Sequence, residues 1–407
     1  MDQLEPGPLT PGGDGSRHVV TQPDVAPLLL GYWAFGQFWG VWVILVSDFQ
    51  LSHGVSDSRM GLLYTLLSVV AVLVMAFLAP RLQGLRLSRS VPLSLASLAV
   101  GAAAIALQPT GLIVLGMAVV GLGNGLIDVY LNVAAQRSEV RRRRPILQWM
   151  HASYALGGVT GAAVAGLLRT AGIDYRIGIL YASVSLAITA VVAQRILPSG
   201  EPAGTVETSF SISILFRRPE LWVPALVVLS AFLVEGSMDT WSGRYLRGEL
   251  DASAGVAAIV FIAFSSSLFL GRLFAGRVLF GLGPRSTILV AGIGAAIGGA
   301  IAAATSSPAV VGGAYLLMGF MIAAAAPAGF SLVDVPEADA TNAIAAVSTV
   351  GYTGFIWSPP ILGWIADTFS LRASVSAIVI ATLGIIAGGL FAPRIQGTEA
   401  AGSRTAG

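Results

Sequence analysis

Apolar stretches of about 20 residues, each long enough to cross a bilayer as a helix, recur twelve times along this chain. They lie at 27–48, 60–80, 90–107, 111–136, 146–168, 176–196, 221–246, 254–275, 286–305, 309–333, 341–366 and 371–392. Short polar turns separate them, except for a longer break at 197–220 that divides six from six. The pattern predicts an all-α membrane protein: twelve transmembrane helices in two pseudo-symmetric six-helix bundles, 25–196 and 221–393, joined by a cytoplasmic linker at 197–220. Residues 1–24 and 394–407 have no apolar periodicity. They are expected to be disordered cytoplasmic tails. The first contains no basic region leading into an apolar core, so it is not read as a signal peptide.

Composition fixes the solvent. Hydrophobic residues make up 55% of the 407 and charged residues only 11%, against about 25% charged in a soluble domain. The mean hydropathy is +0.80. With no cysteine, disulfides and thiolate metal sites are excluded, and no cofactor is expected. All 23 basic residues are arginine, which with abundant Ala, Gly and Val suggests GC-rich bacterial coding. Their placement gives an orientation. With the amino-terminal side in the cytosol, 17 of the 23 fall on that side, among them Arg81, Arg86, Arg89, Arg137, Arg141 to Arg144, Arg195, Arg217, Arg218, Arg272, Arg277 and Arg285. The positive-inside rule then puts both ends in the cytosol of a bacterial inner membrane. One loop on that side dissents: 333–340 carries Asp334, Glu337 and Asp339 and no arginine. The run Arg141 to Arg144 reads as an orientation signal contacting anionic headgroups. No nucleic-acid partner is expected, and GLGNGL (121–126) fits no phosphate-binding loop.

The chemistry lies where polar residues interrupt the spans. On the fourth helix Gly121, Gly125, Asp128, Asn132, Ala135 and Glu139 share one face, with Asn124 beside it. A small, polar face does not suit lipid. It must meet another helix or a wet cavity. No arginine lies deep in any predicted span, so no deep salt bridge is expected, for Asp128 or any other acid. That acid is either a structural hydrogen-bonding group or a carboxylate that takes proton or substrate as a cavity opens and closes. On the first helix Trp33, Gln37, Gly40, Ile44 and Asp48 share a face. Trp33 and Gln37 could hold a polar solute, the ring stacking and the amide bonding hydroxyls. Asp48 lies at the wet outer end and is a further proton-coupling candidate. His151 opens the fifth helix, with Tyr154 one turn on. On the seventh, Glu235, another proton-coupling candidate, sits one turn from Asp239, with Arg244 near enough in sequence to pair with Asp239. Tyr352 and Trp357 could line the cavity from the eleventh. Helix packing, interfacial exposure and aromatic contacts are the structural alternatives for these residues. SYALGGVTGAAVAGLL (153–168) and GYTGFIWSPPILGWIA (351–366) align Tyr154 with Tyr352, a weak internal repeat.

The stretch 121–162, GLGNGLIDVYLNVAAQRSEVRRRRPILQWMHASYALGGVTGA, resembles the fourth and fifth helices of the fucose-permease-like branch of the major facilitator superfamily. EGSMDTWSGRYL (235–246) and GYTGFIWSPPILG (351–363) resemble the seventh and eleventh helices of bacterial members of that branch. The resemblance implies two halves that rock about a central site and a proton-coupled symporter of a small polar solute, with a sugar as first guess. It places Asp128 and Asn132 on the branch's acid–asparagine pair, and His151 and Tyr154 where the branch keeps polar side chains at its sugar site. APRLQGLRLSR (79–89) lacks the acid of the superfamily's loop signature, and Gly276 stands where relatives often have aspartate. The glycine run of the fifth helix has no proline, unlike drug antiporters. The expected partners are a small-molecule substrate, a proton or sodium ion and the lipid bilayer, with the protein monomeric. Proton-coupled export, or a non-transporting sensor on the same scaffold, are the other readings. No extra signalling segment supports the sensor.

Overall fold

The computed structural model describes residues 25–82, 84–107, 110–142, 146–197 and 213–393. The tails, most of the linker, Arg143 and Arg144 lie outside these. Among the described residues the chain is helical throughout its spans. The first half comprises α1 (Ala26–His53), α2 (Asp57–Arg81), α3 (Leu87–Leu107), α4 (Thr110–Arg142), α5 (Ile146–Thr170) and α6 (Tyr175–Ile196). The second comprises α7 (Trp222–Gly248), the segment Ala254–Ala304, α10 (Pro308–Phe330, with a break in its last third), α11 (Glu337–Thr368) and α12 (Leu371–Phe391).

Ala254–Ala304 is two passes. Two helices abut at Gly283, which has φ 75° and ψ 164°, a positive-φ backbone open to glycine. Packing shows the reversal. Gly319 of α10 meets Phe264, while Met318 beside it meets Gly298. In a straight helix those 34 residues would span about 51 Å, beyond the reach of one turn of α10. The passes are α8 (254–282) and α9 (284–304), giving the twelve expected crossings. Both ends of the bundle, residues 26 and 391, therefore lie on one face, called here the terminal face; the opposite one is the far face. α8 runs past its predicted end at 275, and that shift moves Arg277 from a loop into a helix and sets Arg272, three residues from the predicted end, deeper in the span.

The two halves repeat one packing scheme. α1 packs on α5 and α6, α3 on α4 and α6, and α2 on α4; in the second half α7 packs on α11 and α12, and the α8–α9 segment on α10 and α12. Between halves α2 meets α11, α5 meets α8, and α1 meets α7. The tyrosines aligned in sequence repeat the same contact: Tyr154 stands 5.3 Å from the Phe35 ring, and Tyr352 stands 5.3 Å from Phe232.

Small residues set the closest approaches. Gly36 and Gly40 of α1 face the backbone at Tyr154 and Gly158, and Gly157 and Gly161 of α5 face the backbone at Trp33 and Gln37. Two GxxxG segments thus interlock, the packing that helices use where no hydrophobic force drives them together. Gly121 and Gly125 of α4 lie against Leu67, Ala71 and Val74 of α2. There α2 widens into a π-helical turn at Val74–Leu78.

The halves touch at the far face. Gly61 meets Pro359 and Pro360, Gly363 meets Asp57, Gly243 meets Val43, and Gly166 meets Ala254 and Ala258. At the terminal face α4 and α5 make no extended contact with α10 or α11 among the described residues. The bundle is closed on the far side and open on the terminal side. A short helix, Ser213–Arg217, lies before α7. Arg218 beside it reaches Asp339 at 2.8 Å and Glu220 at 3.6 Å. The acidic 333–340 loop, which disagreed with its arginine-rich face, is in part a partner for the linker.

Candidate functional site

The site lies midway along the helices, where the opening from the terminal face ends. On α4, Asn124 Nδ2 donates to Asp128 Oδ2 at 3.3 Å. Asn132 Nδ2 donates to the Asp128 carbonyl at 2.6 Å, which turns its Oδ1 outward to accept from Tyr32 OH at 2.6 Å. Tyr32 packs edge-on against His151, ring centres 5.7 Å apart. The polar face expected on α4 thus divides in two. Its glycines seat α2, and its acid and amides meet a tyrosine of α1 at a partly open position. Among the described residues no cation pairs with Asp128.

The second half contributes charge. Arg272 of α8 donates through Nη2 to Glu235 Oε2 of α7 at 2.6 Å. The Glu235 side chain is 9% exposed and that of Arg272 is 47% exposed. This corrects two expectations. An arginine does lie inside a span, about 15 Å from the terminal-face end of α8, and it makes the deep salt bridge judged absent. Asp239 does not pair with Arg244, which reaches Asp57 instead at 2.7 Å. Asp239 stays near Glu235 and Arg272, close enough for their charges to act on it.

Residues of both halves converge here. The charges of Asp128, Asp239 and Arg272 all act on the Tyr154 hydroxyl. Arg272 also acts on His151, and Tyr352 feels both Asp128 and Glu235. His151 and Tyr352 are exposed. The structure therefore brings together Asn124, Asp128, Asn132, His151, Tyr154, Glu235, Asp239 and Tyr352.

Four expected residues lie elsewhere. Gln37 is fully buried and donates to Tyr181 OH at 2.8 Å, inside the first half. Trp33 is half-buried against α5 on that same face of α1, roughly 100° around the helix from Tyr32. Trp357 shares a face with Ile361 and Trp364, all exposed, about 140° from Tyr352; this is the lipid side. Asp48 is 7% exposed at the far face, held by Arg169 and Arg247. A wet, free acid was expected there.

Sequence reading missed Tyr32 and Arg272. Tyr32 carried a usable signal, a tyrosine one residue from the chosen face of an apolar helix. Arg272 was hidden by the late end of α8.

A two-half helical bundle, closed at one face around a mid-span polar site drawn from both halves, has the form of an alternating-access membrane transporter. The chain belongs to the Major Facilitator Superfamily, whose sequence profile matches residues 28–359. That makes it a transporter and not an enzyme. It is 27% identical over 379 residues to an uncharacterised MFS-type transporter of Yersinia pestis, covering 90% of this chain and 96% of that one. Two of the solved structures that share the fold serve for comparison. They are the nucleoside transporter NupG, with a TM-score of 0.73, 14% identity and coverage of 90% of this chain and 99% of that one, and a D-xylose–proton symporter, with 0.70, 14%, 91% and 97%.

Proposed function

We propose that the protein is a proton-coupled symporter of a small polar solute, with a sugar the first candidate. It would bind the solute between its halves and carry the proton on Asp128. The observation that supports this reading is the setting of Asp128: a mid-span carboxylate whose one hydrogen-bond partner among the described residues is the neutral Asn124 amide, within electrostatic reach of tyrosines from both halves. An acid inside a membrane span is costly and is a functional candidate by default. Asn124 supplies a hydrogen bond without fixing its charge as an arginine would, and Tyr32 bonds the neighbouring Asn132. Rocking of the halves would change the wetness around it, and with that its hold on a proton. Glu235 is tied to Arg272 and serves better as a solute-facing pair than as a second carrier. The hydroxyl-rich lining of Tyr32, Tyr154 and Tyr352 with Asn132 suits a polyhydroxylated solute, and fold relatives include a xylose and a nucleoside transporter. The arginine distribution supports a cytosolic terminal face, so the cavity would open inward.

The test is uptake of a panel of radiolabelled monosaccharides into vesicles, with and without an inward-directed pH gradient. For the sugar taken up, Asp128→Asn should retain exchange at equal pH and lose accumulation driven by the gradient. Wild-type accumulation by Asp128→Asn removes that acid from coupling.

A further inference from the structure

At the far face the halves are joined by charge. Asp48, near the end of α1, accepts from Arg169 of its own half, Nη2 to Oδ1 at 2.9 Å. It also accepts from Arg247 of the second half through both Nη atoms, with Nη2 to Oδ1 at 3.1 Å. Arg247 reaches further, to the Ile44 carbonyl at 3.2 Å. One turn earlier on α7, Arg244 grips Asp57 at the start of α2, with Nε to Oδ1 at 2.7 Å and Nη2 to Oδ2 at 3.2 Å. Asp57 also accepts from Gln50 of its own half at 2.7 Å. Beside this, Asp367 of α11 receives the backbone N–H groups of Asp57 and Ser58 at 3.0 and 2.8 Å, at a helix N-terminus that favours an acid.

The pattern is asymmetric. Each first-half acid, Asp48 and Asp57, has one partner across the interface and one in its own half. Arg244 and Arg247 have no acid of their own half among the described residues. We propose that Arg244 and Arg247 lock the far face shut, and that Arg169 and Gln50 are fallback partners that make the lock reversible. When the halves part, Asp48 keeps Arg169 and Asp57 keeps Gln50, while the two α7 arginines pass into water. Breaking a buried pair is costly because it strands a charge; Arg169 offsets that cost for Asp48 by charge, and Gln50 lowers it for Asp57 by a hydrogen bond. Arg247 and Arg169 touch the same carboxylate, yet they push the equilibrium in opposite directions.

The absence of native cysteine makes this measurable with a pair of spin labels. Gly111→Cys, at the far end of α4 with open space around it, and Ser307→Cys, in the turn before α10, report the far-face distance between halves in nanodiscs. In this background Arg247→Gln should raise the long-distance population by at least about fivefold, within the range of typical coupling energies. Asp48→Asn should do the same, and it carries this arm if Arg247→Gln does not fold. Arg169→Gln should not raise that population, and should lower it where both distances are populated. The proposal is overturned if Arg169→Gln opens the far face as Arg247→Gln does, or if both Asp48→Asn and Arg247→Gln leave it unchanged.

Discussion

The pair Glu235–Arg272 makes unequal demands on its two members, and the inequality can be measured. Removing one partner of a buried ion pair costs about 3–5 kcal/mol, because the other is left uncompensated. The survivors here differ. In Arg272→Gln the survivor is Glu235, whose side chain is 9% exposed, with Asp239 one turn away as a second acid. Nearly the full penalty should apply, about 3–5 kcal/mol. In Glu235→Gln the survivor is Arg272, whose side chain is 47% exposed to the opening and which still has Asp239 nearby. Water and Asp239 offset roughly half the loss, leaving about 1.5–2.5 kcal/mol. The double variant strands neither charge and should be more stable than Arg272→Gln alone. The eight tryptophans allow unfolding in detergent to be followed by intrinsic fluorescence. If Glu235→Gln destabilises as much as Arg272→Gln, or the double variant is the worst of the three, the argument from exposure is wrong.

The interlocked glycines give a contrast one residue wide: Gly157→Ala drives a Cβ into the backbone at Trp33, while the nearest atom to a Cβ at Gly158 is the Gly36 carbonyl oxygen at 3.8 Å. Thermal unfolding should show Gly157→Ala destabilised by about 1–3 kcal/mol and Gly158→Ala near wild type; equal effects would contradict the packing. In the cysteine-free chain, Tyr352→Cys should react with a membrane-impermeant thiol reagent supplied from the terminal face, while Gln37→Cys and Trp357→Cys should be protected by protein and by lipid. Rapid labelling of Trp357→Cys would return that residue to the cavity. Gln37→Leu removes an amide whose Oε1 has no partner in the structure, and equilibrium unfolding should place it within about 1 kcal/mol of wild type.

Much of this protein follows from one-dimensional pattern, because a bilayer imposes one-dimensional rules. Each span must be long, apolar and internally hydrogen-bonded, so twelve crossings and a six-plus-six division could be counted from the chain. The polar face of α4 was equally plain, since Asp128, Asn124 and Asn132 are conspicuous among Leu, Val and Gly. The sequence alone could not decide which side of each remaining helix turns inward. Gln37 and Trp357 looked like cavity residues, but α1 and α11 present Tyr32 and Tyr352 there, a choice made by where Gly36, Gly40 and Gly354 let neighbouring helices approach. Ion pairing was beyond reach for the same reason. Asp48 meets Arg247 across 199 positions and Asp57 meets Arg244 across 187, while Asp239 and Arg244, five apart, do not pair. A helix advances about 100° per residue, so residues five apart point to opposite sides, and only the packing of the two halves brings distant charges together.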